Sequence, residues 1–143
     1  MQSTIELPDL NATMAFGQEL GENLQPGDVV ALIGPLGAGK THLARAIAEG
    51  LGIPDSRVVT SPTFALIHEY QGRLPIFHFD VYRLRSPAEF LDLGVTEYFE
   101  AGGVCLIEWA DRVIECLPDK RIVITLEITG EASRQLTMES PSN

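Results

Sequence analysis

The most continuous apolar segments of the chain are two short runs that lie far apart in sequence. Every residue of Val29–Ile33 is apolar, and so is every residue of the run 104–107. A strand covered on both faces by helices is apolar throughout, whereas a strand with one face in water alternates. We therefore predict two buried strands, and we expect Val29–Ile33 to have parallel neighbours that are reached by crossover connections.

Apolar residues at helical spacing predict a helix on each side of the first buried strand. The face of the earlier helix recurs every fourth residue, at Ala12, Phe16, Leu20 and Leu24. The face of the later helix is formed by Leu43, Ile47 and Leu51. Asp9 or Asn11 can cap the first helix, and Gly52 ends the second.

The remaining segments are punctuated by turn residues and predict shorter elements. Ile5 and Leu7 belong to a strand-like opening, and Ser86, Pro87 and Glu89 form a helix start with a capping box. The other predicted elements are a strand pair over residues 64–70 and 76–81, a short helix over 110–116, and a final hairpin over 121–129 and 135–139.

Composition and charge narrow the class of protein. The 143 residues carry 20 acidic and 10 basic side chains, a formal net charge of −10. Such a surface repels nucleic acid, and it either favours a protein partner with a basic face or serves solubility alone. Cys105 and Cys116 lack Cys-x-x-Cys spacing, which predicts reduced, buried thiols, with a disulfide as the alternative. With no secretory signal and no apolar run that could span a membrane, we expect a cytoplasmic protein.

A glycine-rich loop directly follows the first buried strand. It fits the pattern of Gly, four residues, Gly-Lys and Ser or Thr, with the residues Gly34, Pro35, Leu36, Gly37, Ala38, Gly39, Lys40 and Thr41. Glycines let the backbone turn its amides inward, and these amides form an anion site with the N-terminus of the next helix. Lys40 then reaches the β and γ phosphates of a nucleotide, and the Thr41 hydroxyl ligates Mg²⁺. Because a buried strand precedes it and an amphipathic helix follows, we interpret it as a P-loop rather than an ordinary glycine-rich turn.

Together the elements and the loop predict an α/β fold. We expect a single P-loop NTPase domain over residues 1–143, with a mixed, mostly parallel sheet flanked by helices and a frayed C-terminus. No Asn-Lys-x-Asp motif occurs, and Asp80 does not begin an Asp-x-x-Gly motif. ATP is therefore favoured over GTP. This preference rests on the motifs that GTP-binding P-loop families usually carry rather than on physical chemistry.

Two carboxylates stand at the ends of predicted strands, where ligands gather beside a phosphate loop. Asp80 is the first choice for the acid that holds Mg²⁺, with a turn aspartate as the alternative. Glu108 either polarises the attacking water or holds a metal-bound water, with a surface or ion-paired glutamate as the alternative. Asp80, Glu108 and Lys40 are the predicted catalytic residues, and Thr41, Asp80 and Glu108 are the predicted metal ligands. Which of the two acids activates water stays open.

Residues near these acids have less specific signals. A hydroxyl from the segment Ser61-Pro62-Thr63 could sense the γ-phosphate and metal, or the segment is a plain turn. Trp109, the single tryptophan, either stacks on a base, marks a moving switch or packs in the core. His78 lies two residues before Asp80 and shares its sheet face, which favours a packing or supporting role. The three histidines lack metal-ligand spacing, so zinc is not supported.

Taken together, these motifs resemble the TsaE family, also called YjeE. The resemblance runs from the first helix to about residue 128. It rests on the loop of residues 34–41 and on Ser61-Pro62-Thr63-Phe64, His78-Phe79-Asp80-Val81-Tyr82-Arg83, Glu108-Trp109 and Asp111-Arg112.

The resemblance implies a small bacterial ATPase of the cytosolic pathway that places threonylcarbamoyl on the adenosine next to the anticodon of certain tRNAs. A TsaE protein is not the transferase. It docks on the TsaB–TsaD pair, its ATP hydrolysis resets that complex, and it meets tRNA only indirectly. By position, the phosphate and Mg²⁺ residues are Lys40 and Thr41, the Walker B-type acid is Asp80, the first switch holds Thr63, and the second holds Glu108 and Trp109.

Two other functions remain open at this point. A small-molecule kinase could use Arg83, Arg85 and Arg112 to clamp an acceptor, but the sequence has no arginine-rich insertion to form a lid. A nucleotide-dependent binding module would need the bound state more than the hydrolysis. We expect a monomer in isolation, with weak hydrolysis, because no arginine is an obvious finger in cis and a partner would complete the site.

Overall fold

The computed structural model describes residues 2–62 and 66–141. In this part of the chain the strands are β1 Gln2–Leu7, β2 Val29–Ile33, β3 Ile67–Gln71, β4 Pro75–Asp80, β5 Val104–Glu108, β6 Ile122–Ile128 and β7 Arg134–Glu139. The α-helices are α1 Leu10–Asn23, α2 Lys40–Gly50, α3 Pro87–Asp92 and α4 Val95–Phe99. Short 3₁₀ turns cover Ser56–Val58, Ala110–Arg112 and Ile114–Cys116.

The strands of the described residues form one sheet in the order β1-β7-β6-β2-β5-β4-β3. The four central strands, β6, β2, β5 and β4, are parallel to one another. The outer strands add antiparallel pairs at both sides, β3 on β4 and the β6–β7–β1 meander. The mixed α/β fold is confirmed, including the parallel neighbours expected for β2.

Strand β2 is buried on both faces, as its continuous apolar sequence predicts. Val30 and Leu32 belong to a core beneath α1 and α2, whereas Val29 and Ala31 belong to a second core beneath α3 and α4. Successive side chains of a strand point to opposite faces, so alternate residues supply the two cores. This two-sided burial fixes the position of the loop that leaves β2.

Helix α2 is held in place by an unusually close approach to α1. A β-carbon built at Gly21 would lie 2.2 Å from the Ile47 carbonyl oxygen, and one at Gly50 would lie 2.1 Å from that of Gln18. Only glycine permits this separation, because any other residue would overlap with backbone. The first helix therefore supports the helix that begins at the glycine-rich loop.

The predicted elements differ from the structure in two places. The predicted helix over residues 110–116 is wrong: the segment forms two 3₁₀ turns, because Trp109 starts it in the left-handed region at φ 61° and Val113 interrupts it at φ −132°. Helix α4 was not predicted. The strand predicted over residues 64–70 is observed at Ile67–Gln71, and residues 64–65 of that prediction lie outside the described part. None of the helices described here has the length and apolar character needed to cross a membrane.

Candidate functional site

The site lies at the carboxyl edge of the parallel strands. Asp80 and Glu108 are the last residues of β4 and β5, and they are direct partners across the two strands. Leu32 of β2 is aligned with Glu108, so the glycine-rich loop, which starts at Gly34, begins two residues beyond the same level. The fold therefore brings together the two acids and the loop, as the sequence predicted from strand ends.

The loop of residues 34–39 adopts a conformation that requires glycine. Gly37 and Gly39 have φ of 83° and 103°, and a β-carbon at either position would meet no atom within 4 Å in the part of the chain that the structure describes. Pro35 and Leu36 form its exposed outer tip, closed by a bond from the Ala38 amide to the Pro35 carbonyl at 3.1 Å. Among the described residues no side chain caps α2 at Gly39, so the first amides of that helix keep the positive end of the helix dipole open to an anion.

Lys40 lies inside the curve of the loop. Its ammonium donates to the carbonyls of Gly34 at 2.6 Å and Pro35 at 2.9 Å, and it sits 3.8 Å from the centre of the Trp109 ring. Burial lowers the pKa of the amine, while the negative charges of Glu108, Asp80 and Asp111 raise it. A buried cation held on carbonyls in this way is oriented before any anion arrives.

Glu108 is buried and connects the loop helix to the sheet. Its carboxylate accepts from the Thr41 hydroxyl at 2.9 and 3.2 Å. It also lies 2.6 Å from Nε2 of His78, a side chain with no exposed area. Nδ1 of His78 has no hydrogen-bond partner among the described residues, which favours the tautomer with its proton on Nε2. The expected supporting role of His78 has this concrete form: it donates to Glu108.

Asp80 is held by the segments that flank the sheet. One of its oxygens accepts from the Ser61 hydroxyl, and the other accepts from the Tyr82 amide at 2.9 Å. Ser61 belongs to the segment predicted to sense phosphate and metal. Thr63, the residue named there as the first-switch hydroxyl, lies outside the described residues.

Trp109 joins the acid strand to an aromatic stack. Its backbone is left-handed at φ 61°, and its ring lies 4.7 Å from the Tyr82 ring. The Arg112 guanidinium lies 4.8 Å from the centre of Tyr82 on the stack. Of the interpretations considered for Trp109, the structure shows a ring that contacts the loop lysine, rather than one packed only in the apolar core.

These groups line one cleft of about 510 Å³. Its size falls in the range of about 300–1,000 Å³ that is usual for small-molecule sites. The polar and charged side chains on its wall are Lys40, Thr41, His42, Ser61, Asp80, Arg83 and Glu108. Among the described residues there is no group of three or more His, Cys, Asp or Glu side chains that could hold a metal by themselves.

Arg134 contacts the loop from β7, a residue that no sequence motif singled out. Its guanidinium donates to the carbonyls of Ala38 and Gly37, both at 3.1 Å. The partners are backbone atoms 96 and 97 residues earlier in the chain. A side chain that binds backbone carbonyls so far away leaves no pattern of residue types, so the sequence offered no signal for it.

A family of known proteins matches nearly the whole of this arrangement. The family described as "Threonylcarbamoyl adenosine biosynthesis protein TsaE" matches residues 7–136, which include the loop, both acids and Arg134. The chain belongs to the TsaE family. The resemblance inferred from the motifs is thereby confirmed, and the match extends to the strand that contains Arg134.

Individual TsaE relatives are similar over most of their length. The protein named tRNA threonylcarbamoyladenosine biosynthesis protein TsaE from Bacillus subtilis is 48% identical over 132 residues, covering 92% of this chain and 81% of the relative. The protein of that name from Treponema pallidum is 43% identical, covering 88% and 92%. The crystal structure of Bacillus subtilis YdiB superposes with a TM-score of 0.85 at 38% identity, covering all of this chain and 88% of that one.

Proposed function

We propose that this chain binds ATP with Mg²⁺ in the cleft and hydrolyses it slowly, in the cytoplasm, in support of tRNA threonylcarbamoyladenosine biosynthesis. The observation that carries the proposal is the hydrogen bond from Thr41 to Glu108, beside a lysine held in the curve of a glycine-rich loop. Membership of the TsaE family supports the pathway.

The residues present fit a nucleoside triphosphate. Open space above Gly37 and Gly39, the uncapped start of α2 and the Lys40 ammonium form a concave, electropositive surface for phosphate oxygens. Since the chain as a whole carries a net charge of −10, such a local surface selects for an anion that fits rather than for polyanions in general.

The residues also fit a magnesium ion that is shared with the substrate. Mg²⁺ in such sites takes one or two protein oxygens and completes its shell with phosphate and water, so a cluster of three acids is not required. The Thr41 hydroxyl donates its proton to Glu108, which leaves its lone pairs free for the metal. When bound, the ion neutralises the charge that develops on the transferring phosphoryl group.

Glu108 and Asp80 have different hydrogen-bond partners, and we assign the role of each acid from its partners. Glu108 holds the Thr41 oxygen and is itself held by His78, so it orients the metal side of the site. Asp80 binds Ser61 and the Tyr82 amide, so it fixes the segments beside the phosphate position. Water that attacks the γ-phosphate would be oriented between these two carboxylates.

The arginines near the cleft support the proposal that hydrolysis depends on a protein partner. Arg112 stacks on Tyr82, and Arg134 is engaged by loop carbonyls. Arg83 lines the cleft. With Arg112 and Arg134 held by other groups of the chain, charge stabilisation supplied in trans would speed hydrolysis. We propose that the TsaB–TsaD pair supplies the docking partner, that tRNA is met only through it, and that the free chain is a monomer.

The test is Mg²⁺-dependent ATP hydrolysis by the chain alone and with added TsaB–TsaD. The variants are Glu108→Gln and, as a matched control on an exposed acid, Glu115→Gln. We expect slow hydrolysis that rises with the partner, is lost in Glu108→Gln and is unchanged in Glu115→Gln. Hydrolysis indifferent to TsaB–TsaD would refute the docking proposal, and ADP formation only with an added metabolite would favour a small-molecule kinase.

A further inference from the structure

The guanidinium of Arg134 lies on the outer side of the glycine-rich loop and joins it to the β6–β7 turn. Nε and Nη2 donate to the loop carbonyls of Ala38 and Gly37. Nη1 donates to the carbonyls of Gly130 at 3.2 Å and Ser133 at 2.7 Å. One planar group therefore binds two separate backbone segments at once, which a lysine ammonium could not do with the same geometry.

These bonds determine which way a loop amide points. A trans peptide is planar, and its C=O and N–H point in opposite directions. Because the Ala38 carbonyl faces Arg134, the N–H of Gly39 in the same peptide unit faces away from the arginine. A β-carbon on Gly39 would meet no atom of the described residues within 4 Å, which leaves room for a ligand beside that residue.

Strand β6 reinforces the loop at its other end. A β-carbon on Gly34 would lie 2.8 Å from the Leu126 carbonyl oxygen, so the start of the loop lies directly against β6. The β6–β7 hairpin therefore supports the loop at two points, Leu126 at its base and Arg134 near its helix end. The hairpin is thus part of the framework of the site, although it contributes no residue to the wall of the cleft.

The positive charge of Arg134 also favours the binding of an anion at the loop. All four of its bonds go to carbonyl oxygens, and among residues 2–62 and 66–141 it forms no ion pair with a carboxylate. No carboxylate of the described residues therefore pairs directly with its positive charge. In a chain with 20 acids and 10 bases, a cation behind the loop favours anions there.

On these grounds we infer that Arg134 is a positioning residue of the nucleotide site, which holds loop residues 37–39 in their anion-receiving conformation before the nucleotide binds. The inference rests on the proposed function, since it assumes that the loop receives a phosphate. Arg134 touches the loop backbone rather than reacting atoms, so it acts by preorganisation.

The first measurement uses the chain without nucleotide. Hydrogen–deuterium exchange of peptides covering residues 34–41 would be compared for the native chain, Arg134→Gln and Arg134→Lys. We expect exchange about ten-fold faster in Arg134→Gln, because hydrogen bonds to a charged group hold the loop closed. Ser133→Ala is the control: it removes the 2.9 Å bond between the Thr129 and Ser133 hydroxyls but leaves the carbonyl that Arg134 uses.

The second measurement is the Kd for Mg-ATP and Mg-ADP by calorimetry on the same four proteins, with circular dichroism to confirm folding. We expect binding about ten- to one-hundred-fold weaker in Arg134→Gln, intermediate in Arg134→Lys, and native in Ser133→Ala. Arg134→Lys keeps the charge and loses the forked contact, so it separates electrostatics from positioning.

Three results would overturn the inference. Native loop exchange in Arg134→Gln would show that the loop does not depend on the arginine. Native Kd in Arg134→Lys would show that charge alone matters. Equal weakening in Ser133→Ala would assign the effect to the hairpin turn. A native chain that binds no nucleotide would instead refute the proposed function, and loop exchange would still decide whether Arg134 holds the loop.

Discussion

The hydrogen bond between His78 and Glu108 is the contact in the site whose removal has the clearest expected consequence. His78 has no exposed area, and its Nε2 lies 2.6 Å from the carboxylate. In His78→Phe the ring and its packing near Tyr70, with centroids 6.1 Å apart, are retained, but the donor is lost. Glu108 then keeps the Thr41 hydroxyl as its remaining donor among the described residues.

The size of the expected loss of stability in His78→Phe follows from the burial of Glu108. A hydrogen bond to a charged group contributes about 1.5–3 kcal/mol, and we expect His78→Phe to lower the free energy of unfolding by about that amount. Since small domains have about 5–15 kcal/mol in total, the variant should still fold. Partners that orient a metal-site ligand typically affect metal affinity about 10–100-fold. The Mg²⁺ concentration for half-maximal nucleotide binding should rise by about this factor.

The assay combines urea unfolding without nucleotide and calorimetric ATP binding across a Mg²⁺ series. His78→Gln offers an Nε2 donor at the end of its side chain and should restore part of both losses. His68→Phe is the matched control, because His68 contacts the Tyr70 hydroxyl at 3.1 Å rather than an acid of the site. Combining His78→Phe with Glu108→Gln should give a smaller loss than the sum of the single changes.

Two results would refute this reasoning. If His78→Phe unfolds at the native urea concentration and needs no more Mg²⁺, the contact does not orient Glu108. If His78→Gln behaves like His78→Phe, the ring contributes by shape rather than by donation.

Two further predictions concern the framework. Gly21→Ala should lower the free energy of unfolding by about 1–3 kcal/mol in urea, because the new methyl would lie 2.2 Å from the Ile47 carbonyl, whereas Ala15→Ser on the exposed face of α1 should have little effect. Burial raises the pKa of the Cys105 thiol from 9.0 to about 12, so at pH 8 a thiol reagent should modify it about a thousand-fold faster in urea than in the native chain. The stability that this raised pKa contributes is fully present below pH 9 and is lost as the pH rises toward 12. Rapid labelling of Cys105 in the native chain would contradict the burial argument, and native stability of Gly21→Ala would contradict the argument from close helix packing.

Periodicity and strand ends were sufficient to predict the central part of the site. The continuous apolar run of Val29–Ile33 required a strand buried on both faces, and that strand directs the loop to the sheet edge where Asp80 and Glu108 also end. Cys105 is free and buried, as the same apolar patterning predicts, whereas Cys116 is free but only half-buried.

Contacts that depend on register could not be predicted in the same way. Whether His78 meets Glu108 depends on how β4 aligns with β5, and hydrophobic pattern does not set that alignment between two fully buried strands. The left-handed backbone of Trp109 could not be predicted from the sequence either, because a bulky residue rarely adopts that conformation. The prediction of a helix after it failed for this reason.

The partners of the two acids divide the site into a fixed part and an exchangeable part. Glu108 is bound by His78 within the sheet and by Thr41 on a helix that packs closely against α1, so moving it would disturb the core beneath α1 and α2. Asp80 is bound by Ser61 and the Tyr82 amide, which lie in connecting segments outside the strands. Hydrogen bonds in connecting segments can open without unfolding the sheet, whereas those within a packed core cannot. A conformational response to the nucleotide would therefore begin at the partners of Asp80, with Glu108 as the stationary reference.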